Sequence, residues 1–289
     1  MPTKGEKDAL TGRETTGHEW DGVRELNTPL PNWWLYTFIA TIVFAVGYSV
    51  LYPAVPWFTG HTKGVLGYTN RGAVASEIAA AAARQAPILE RIRSMELLAI
   101  PKDTELFVYA VAGGKAAFAD NCVPCHRAGG AGAPGYPMLA GDRWLWGGTL
   151  EAIHQTISHG VRNDDPDCRQ SAMPRFGLDG MLTAAQIGDV ADYVRSLSGN
   201  QVSVEAIERG GKIFADNCVV CHGEKGIGNP DVGAPDLTAK VSLYGNDRAT
   251  LVDVITRARN GSMPSWGQRL DPVTIKMLAI YVHSLGGGK

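Results

Sequence analysis

Apolar and polar positions divide the chain into stretches of different period. Residues 1–32 are polar and rich in Gly, Thr and charge, with no apolar stripe, and read as a polar arm ordered only where it touches something. Residues 33–52 are a run of twenty positions without a charge. A helix of that length rises about 30 Å, the thickness of a hydrocarbon core. Trp33, Trp34 and Tyr36 at one end, and Tyr48, Tyr52 and Trp57 at the other, suit the two membrane interfaces. Tyr52-Pro53-Ala54-Val55-Pro56 stops the helix, because proline brings no N–H to the ladder. A cleaved leader has a shorter apolar segment and would not follow so long a polar lead, so the pattern predicts a retained anchor. Residues 53–104 form a linker. Within it residues 73–100 predict a helix, with Ile88, Leu89, Ile92, Met95 and Leu98 on one face. That face suits packing on the domain that follows, a partner subunit or the membrane surface.

From about residue 105 the pattern occurs twice. Phe-Ala-Asp-Asn-Cys appears at Phe118–Cys122 and again at Phe214–Cys218, 96 positions later. Pro137-x-Leu139 matches Pro235-x-Leu237, and Met173-Pro174-Arg175-Phe176-Gly177 matches Met263-Pro264-Ser265-Trp266-Gly267. Tyr193-Val194-Arg195-Ser196-Leu197 matches Tyr281-Val282-His283-Ser284-Leu285. Four landmarks in one order mean a duplicated domain, at residues 105–199 and 200–289, with Gly199-Asn200 between the copies. Each copy predicts a small helical domain. Its closing helix carries Ile187, Val190, Ala191 and Val194 on one face after Thr183 as N-cap, or Ile275, Leu278, Ala279 and Val282 in the second copy.

The chemistry lies in Cys122-Val123-Pro124-Cys125-His126 and Cys218-Val219-Val220-Cys221-His222. Cys-x-x-Cys-His is the spacing of c-type haem attachment: two thiols add to the haem vinyl groups and the His becomes the proximal iron ligand. Cys-x-x-Cys alone would leave zinc or thiol exchange open, and the adjoining His in both copies argues against them. Two covalently bound haem c groups are therefore expected. Met173 and Met263 are the expected second axial ligands, Met173 with His126 on the first iron and Met263 with His222 on the second. A thioether opposite imidazole favours ferrous iron and raises the potential. His154 and His159, lying between the first motif and Met173, leave a bis-His first haem open. Pro137 and Pro235 are placed to offer a carbonyl to the proximal imidazoles, and Trp144, Trp146 and Trp266 to wall the pockets.

With 289 residues there is room for about two domains. A balance of 27 basic and 29 acidic residues gives no nucleic-acid footprint. Cys168 is the one cysteine outside the motifs, so no disulfide framework forms. Asp164, Asp165 and Asp167 are either a solvated loop or a docking patch for a basic cytochrome. No paired acid and base, nucleophile triad or phosphate loop accompanies the motifs. Lys4, Lys7, Arg13 and Arg24 precede the span, against Lys63 and Arg71 in the twenty residues after it, which favours a cytoplasmic N-terminus. Haem attachment occurs on the outer side of a bacterial energy-transducing membrane, which places the repeats in the periplasm. The fold class expected is mainly α, with one N-terminal transmembrane helix and two tandem class I cytochrome c-type domains.

His18-Glu19-Trp20-Asp21-Gly22-Val23-Arg24-Glu25-Leu26-Asn27-Thr28-Pro29-Leu30-Pro31-Asn32-Trp33-Trp34 resembles the arm and anchor of the dihaem subunit III of cbb3-type cytochrome c oxidases. Tyr52-Pro53-Ala54-Val55-Pro56 and Trp144-Leu145-Trp146-Gly147-Gly148 fit the same pattern, over nearly the whole chain. The resemblance implies a non-catalytic electron-transfer subunit of a proton-pumping terminal oxidase in the inner membrane. Electrons would come from a donor cytochrome c or cytochrome bc complex and pass to a monohaem subunit, then to the catalytic haem-copper subunit. The chain departs from the family at Ser242, where an aromatic residue is expected. Two other readings stand beside this one: a free-standing membrane-anchored dihaem shuttle, and a haem enzyme or gas sensor with one open iron.

Overall fold

The computed structural model describes residues 5–287 and is mainly helical. It divides into two units, with the division after Arg84. In the first, strands β1 (Thr15–Trp20) and β2 (Val23–Leu26) pair antiparallel through Trp20↔Val23 and Glu19↔Arg24. Their two-residue turn is Asp21-Gly22, with φ of 47° and 86°. Two positive φ values suit the right-handed twist of a hairpin, and Asp-Gly supplies them at low cost. From residue 5 onward the polar arm is thus structured by its own pairing, with Arg24 bonded to Glu19 at 2.9 Å and Glu6 at 3.0 Å.

Helix α1 (Asn32–Leu51) is the anchor, and none of its side chains is buried in the protein. Apolar side chains facing outward all round suit a lipid-exposed span. After the short hairpin of β3 (Pro56–Trp57) and β4 (Gly60–His61), the chain folds back on the end of α1. There Val65 and Leu66 donate N–H groups to the carbonyls of Val50 and Leu51, at 2.9 and 3.1 Å. These carbonyls would otherwise be orphans of the helix terminus.

Helix α2 (Asn70–Ser94) stops earlier than its apolar spacing suggests, and a 3₁₀ turn (Leu97–Lys102) follows. Pro101 disfavours α geometry before it, and Lys276 takes the free carbonyls, its Nζ donating to Ile92, Arg93 and Met95 at 3.2, 2.9 and 2.7 Å. Ile92 is fully buried and Ile88, Leu89 and Met95 pack beside it, so this end of the stripe serves the protein's own core.

Among the described residues the second unit contains eight further α-helices: α3 (Thr104–Asn121), α4 (Val123–His126), α5 (Leu150–His159), α6 (Ala184–Leu197), α7 (Val204–Asn217), α8 (Val219–His222), α9 (Arg248–Arg257) and α10 (Pro272–Ser284). Side-chain caps start the long ones where polar residues precede apolar runs: Asp103, Thr149, Thr183 (a capping box with Gln186), Ser203, Asp247 and Asp271.

Their packing departs from the order of the repeats. The closing helix of the second repeat, α10, packs on α3 and α5 of the first, whereas α6 packs on α7 and α9 of the second. One core joins Leu106, Phe118, Ile153, Ile157 and Leu278, and the other joins Phe176, Val190, Ala191, Phe214 and Ile255. The repeat boundary at 199/200 is therefore not a packing boundary: it lies in the short connection between two helices that pack together. Residues 173–257 form one packed set, inserted into a set made from both flanks. The connection explains the choice. Only six residues separate α6 from α7, so their pairing closes a short loop, at a low entropic cost.

Both helix pairs cross at a glycine. A Cβ on Gly114 would lie 2.1 Å from the Met277 carbonyl oxygen, and one on Gly210 would lie 2.2 Å from that of Asp189. Beside each crossing an aromatic pair closes the contact: Phe118 with Tyr281 at 5.3 Å and Phe214 with Tyr193 at 5.1 Å between ring centroids.

The exchange has a thermodynamic signature. A double-mutant cycle on Phe118→Leu and Tyr281→Leu is expected to give a coupling of about 0.5–1.5 kcal/mol in denaturant unfolding. The cycle on Phe118→Leu and Tyr193→Leu should be additive. Coupling in the second cycle and not the first would mean that the helices pack in repeat order.

Candidate haem sites

Each Cys-x-x-Cys-His motif is a single helical turn that continues a helix from the preceding core. In the first, His126 N donates to Cys122 O at 2.8 Å and Cys125 N to Cys122 O at 3.1 Å. In the second the same bonds, His222 to Cys218 and Cys221 to Cys218, measure 2.9 and 3.2 Å. Three-residue spacing on one turn sets both thiols on one face and aims the His from the turn's end. The turns stop at Arg127 and Gly223, both in the left-handed region at φ of 61° and 73°. Asn121 and Asn217 brace the entering helices by donating to Ala117 O and Ile213 O.

The two prolines do what the sequence predicts. His126 Nδ1 lies 3.0 Å from Pro137 O, and His222 Nδ1 lies 3.1 Å from Pro235 O. A carbonyl only accepts, so the ring proton sits on Nδ1 and Nε2 keeps its lone pair for a metal. Burial holds both imidazoles below their usual pKa, against the opposing effect of these hydrogen bonds, which favours the neutral, ligating form. Burial, and then the neighbouring Cys125 or Cys221, pushes the Cys122 and Cys218 thiols up to about 11.

This donor set fits a c-type haem: two thiols and one neutral imidazole on a turn, beside apolar side chains left only partly buried. Cys122, Val123, Leu139, Trp144, Met263 and Trp266 form such a rim on the first core. Met173, Tyr193, Cys218, Val219 and Leu237 form it on the second. The Trp144 indole N–H is buried with no acceptor among the described residues, and a haem propionate would supply one.

The rims also show where the two methionines go. Met263 packs against the same core as Cys122, and Met173 against the same core as Cys218, which crosses the order of the repeats. The cause is backbone. Val161 and Met263 exchange both N–H···O bonds at 2.9 Å, while Trp266 and Gly267 donate to Ile157 and Ser158 at the end of α5. On the other side Asn260 brackets Met173, accepting from its N–H at 3.1 Å and donating to its carbonyl at 3.2 Å. Gly177 and Leu178 donate to Thr256 at the end of α9.

His154 and His159 stand on α5, which packs with α10 in the first set, and so do not share Met173's surroundings. His159 is bonded through Nδ1 to Asp165 at 3.1 Å. Asp165 also receives the Asp167 N–H, which leaves Asp164 and Asp167 as the outward carboxylates of that loop. Cys168 is buried, its thiol donating to Asn163 O and receiving Gln170 Nε2, as suits a small structural residue. Trp146 is buried against Gly233, where a Cβ would meet its ring at 2.3 Å. Ser242 closes a turn in place of an aromatic wall, donating to Gly245 O at 2.7 Å and accepting from its N–H at 3.0 Å.

A family model described as the N-terminal domain of cytochrome oxidase-cbb3, FixP, matches residues 12–59. One described as cytochrome c matches residues 111–198, and one described as cytochrome C oxidase, cbb3-type, subunit III, matches residues 205–282. The cbb3-type cytochrome c oxidase subunit FixP of Bradyrhizobium sp. (strain ORS 278) is 52% identical over 291 residues, 100% of both chains. The subunit of the same name from Azorhizobium caulinodans is 52% identical over 98% of this chain and 96% of its own. Subunit CcoP of Cereibacter sphaeroides is 50% identical over 95% of each.

The bracket around Met173 is open to a local test. Asn260→Ala removes both of its hydrogen bonds and should cost about 1–2 kcal/mol of stability. In hydrogen exchange followed by mass spectrometry, protection should fall near Met173 and hold near Met263, which Val161 retains. Equal loss at both would show that the bonds to Val161 do not suffice to hold the strand of Met263 once Asn260 lets go of Met173.

Proposed function

The chain belongs to the family of cbb3-type cytochrome c oxidase subunits FixP and CcoP, and we propose that it relays electrons within such an oxidase. Electrons enter from a donor cytochrome c or cytochrome bc complex and leave toward the monohaem cytochrome c subunit. From there they reach the catalytic haem-copper subunit, which reduces oxygen to water and pumps protons. The observation that carries this reading is the pair of Cys-x-x-Cys-His turns, each with its imidazole Nδ1 bonded to a proline carbonyl.

Bound haem c supplies a one-electron ferric–ferrous couple. This chain's residues do the rest. Cys122 and Cys125 tether one group and Cys218 and Cys221 the other, two haems in all. His126 and Met263 hold the first iron and His222 and Met173 the second, a crossed arrangement supported by the packing of each methionine. The proline carbonyls orient the imidazoles and raise their basicity. Thioether ligands favour the reduced state and suit a carrier late in a respiratory chain. Held by an imidazole and a thioether, each iron would keep no place for substrate, and the subunit's share would be electron transfer.

The two sites are tied in one packed unit. Arg143 pairs with Asp236, and Gly135 donates to Leu243 O at 2.7 Å, bonds that join the two loops after the motifs. A fixed spacing between carriers is what a relay needs. Helix α1 serves as the anchor in the bacterial inner membrane, with the arm cytoplasmic and the motifs periplasmic, as the charges around the span suggest.

Two experiments test this reading. A C-terminally tagged chain extracted from its membrane in mild detergent is expected to copurify with b-type haem, copper and cyanide-sensitive oxygen uptake. Two c-type haems alone, in a folded and redox-active chain, would instead mean a self-sufficient shuttle. For the ligands, Cys218→Ala with Cys221→Ala leaves one haem, on Cys122 and Cys125. In that background Met263→Ala should give a high-spin haem that binds carbon monoxide, and Met173→Ala should leave it low-spin. The opposite result would restore the pairing by repeat order.

A further inference from the structure

The strands carrying Met173 and Met263 pass one another beside residues 160–163, and one side chain there reaches both. Arg162 Nε donates to Gly261 O at 2.6 Å, and its Nη1 donates to Ser171 O at 2.8 Å. Gly261 and Ser171 stand at the same place in their repeats, each two residues before its methionine. Both hydrogen bonds of the guanidinium thus go to backbone carbonyls, one on each strand. The residue itself is held at φ 48°, a region that side chains disfavour, between Val161, which pairs with Met263, and Asn163, whose Nδ2 donates to Met263 O at 2.7 Å. Burial lowers the pKa of the guanidinium, a cost that its two carbonyl bonds offset.

We propose that Arg162 is a shared positioning residue: one guanidinium ties together the two strands that deliver Met173 and Met263, so a single side chain sets both distal ligands. This rests on the crossed-ligand reading above. The geometry asks for arginine specifically. Two N–H groups pointing along different arms of a planar fork can hold two carbonyls at once, whereas an ammonium on a flexible stem is a single point of charge. The second repeat has Asn260 in the neighbouring role, but Asn260 brackets Met173 alone. Asn260 stands on the strand of Met263, so its bonds to Met173 join the same two strands directly, whereas Arg162 joins them by reaching a carbonyl on each.

The test uses the full chain with both haems, purified in detergent, and its two single-haem forms (Cys122→Ala with Cys125→Ala, and Cys218→Ala with Cys221→Ala). The readouts are the far-red charge-transfer band of methionine-bound ferric haem and the midpoint potential. Arg162→Gln should lose band intensity at both haems and lower both potentials, with helix content by circular dichroism unchanged. Arg162→Lys keeps the charge but not the fork and should behave the same way; it also decides the matter if the glutamine variant fails to fold. Asn163→Ala should weaken the band only at the haem on Cys122 and Cys125.

A band lost at one haem alone, or at neither, would overturn the shared role of Arg162. Full retention in the lysine variant would mean that charge matters and the two-armed bond does not. Met173→Ala and Met263→Ala serve as controls. If neither removes a band, the ligand reading itself fails; if each removes one and Arg162→Gln removes none, only this proposal falls.

Discussion

Two glycines let crossing helices of the second unit come into backbone contact, and each Cys-x-x-Cys-His turn is positioned outward from one of them. At Gly114 and Gly210 a carbonyl of the crossing helix occupies the space where a side chain would begin. With that separation fixed, the aromatic pairs Phe118–Tyr281 and Phe214–Tyr193 close the contact one turn further on. One more turn brings the chain to Cys122 or Cys218. The site's position is therefore inherited from a backbone contact that tolerates no added atom, so small errors in helix packing do not pass to the motif turns.

The same contact permits the exchange of closing helices. Since α6 and α10 both carry Tyr-Val-x-Ser-Leu, either could meet the glycine of α3 or α7 by local chemistry alone. Local complementarity is degenerate between two copies, and a weaker effect then decides. Closure entropy favours the partner at the end of a six-residue connection over one on the far side of a whole domain. Once α6 is taken by α7, α10 is left for α3, and Lys276 confirms the seat by reaching the carbonyls at the end of α2.

Much of this was legible in residues and some was not, for definite reasons. The anchor was readable because an uncharged run of that length has few alternatives, and Thr183 because capping is local. The proline carbonyls were readable because an imidazole ligand needs an acceptor behind it. The arm's hairpin was missed although Asp21-Gly22 was in plain view: without alternating apolar residues on either side, the turn dipeptide alone carried little weight. The end of α2 was missed because it depends on Lys276, more than 180 positions away. Which core each methionine packs against was not legible, for a deeper reason. An internal repeat reports common ancestry of segments, and nothing in it says which copies of two interchangeable faces meet.

The exchange changes what the duplication can do. Two domains packed in repeat order would meet only at their surfaces and could shift against each other. Here the chain crosses between the packed sets twice, and each crossing strand carries a methionine into one rim while being bonded to residues that also serve the other. Val161 and Asn163 hold Met263, Asn260 holds Met173, and the loops after the motifs are joined by Arg143 and Asp236. Neither set can then open without straining the strand that supplies the other. For the proposed relay of electrons between two fixed points, that constraint does the work of a rigid interface, from a surface that would otherwise be a modest contact between small domains.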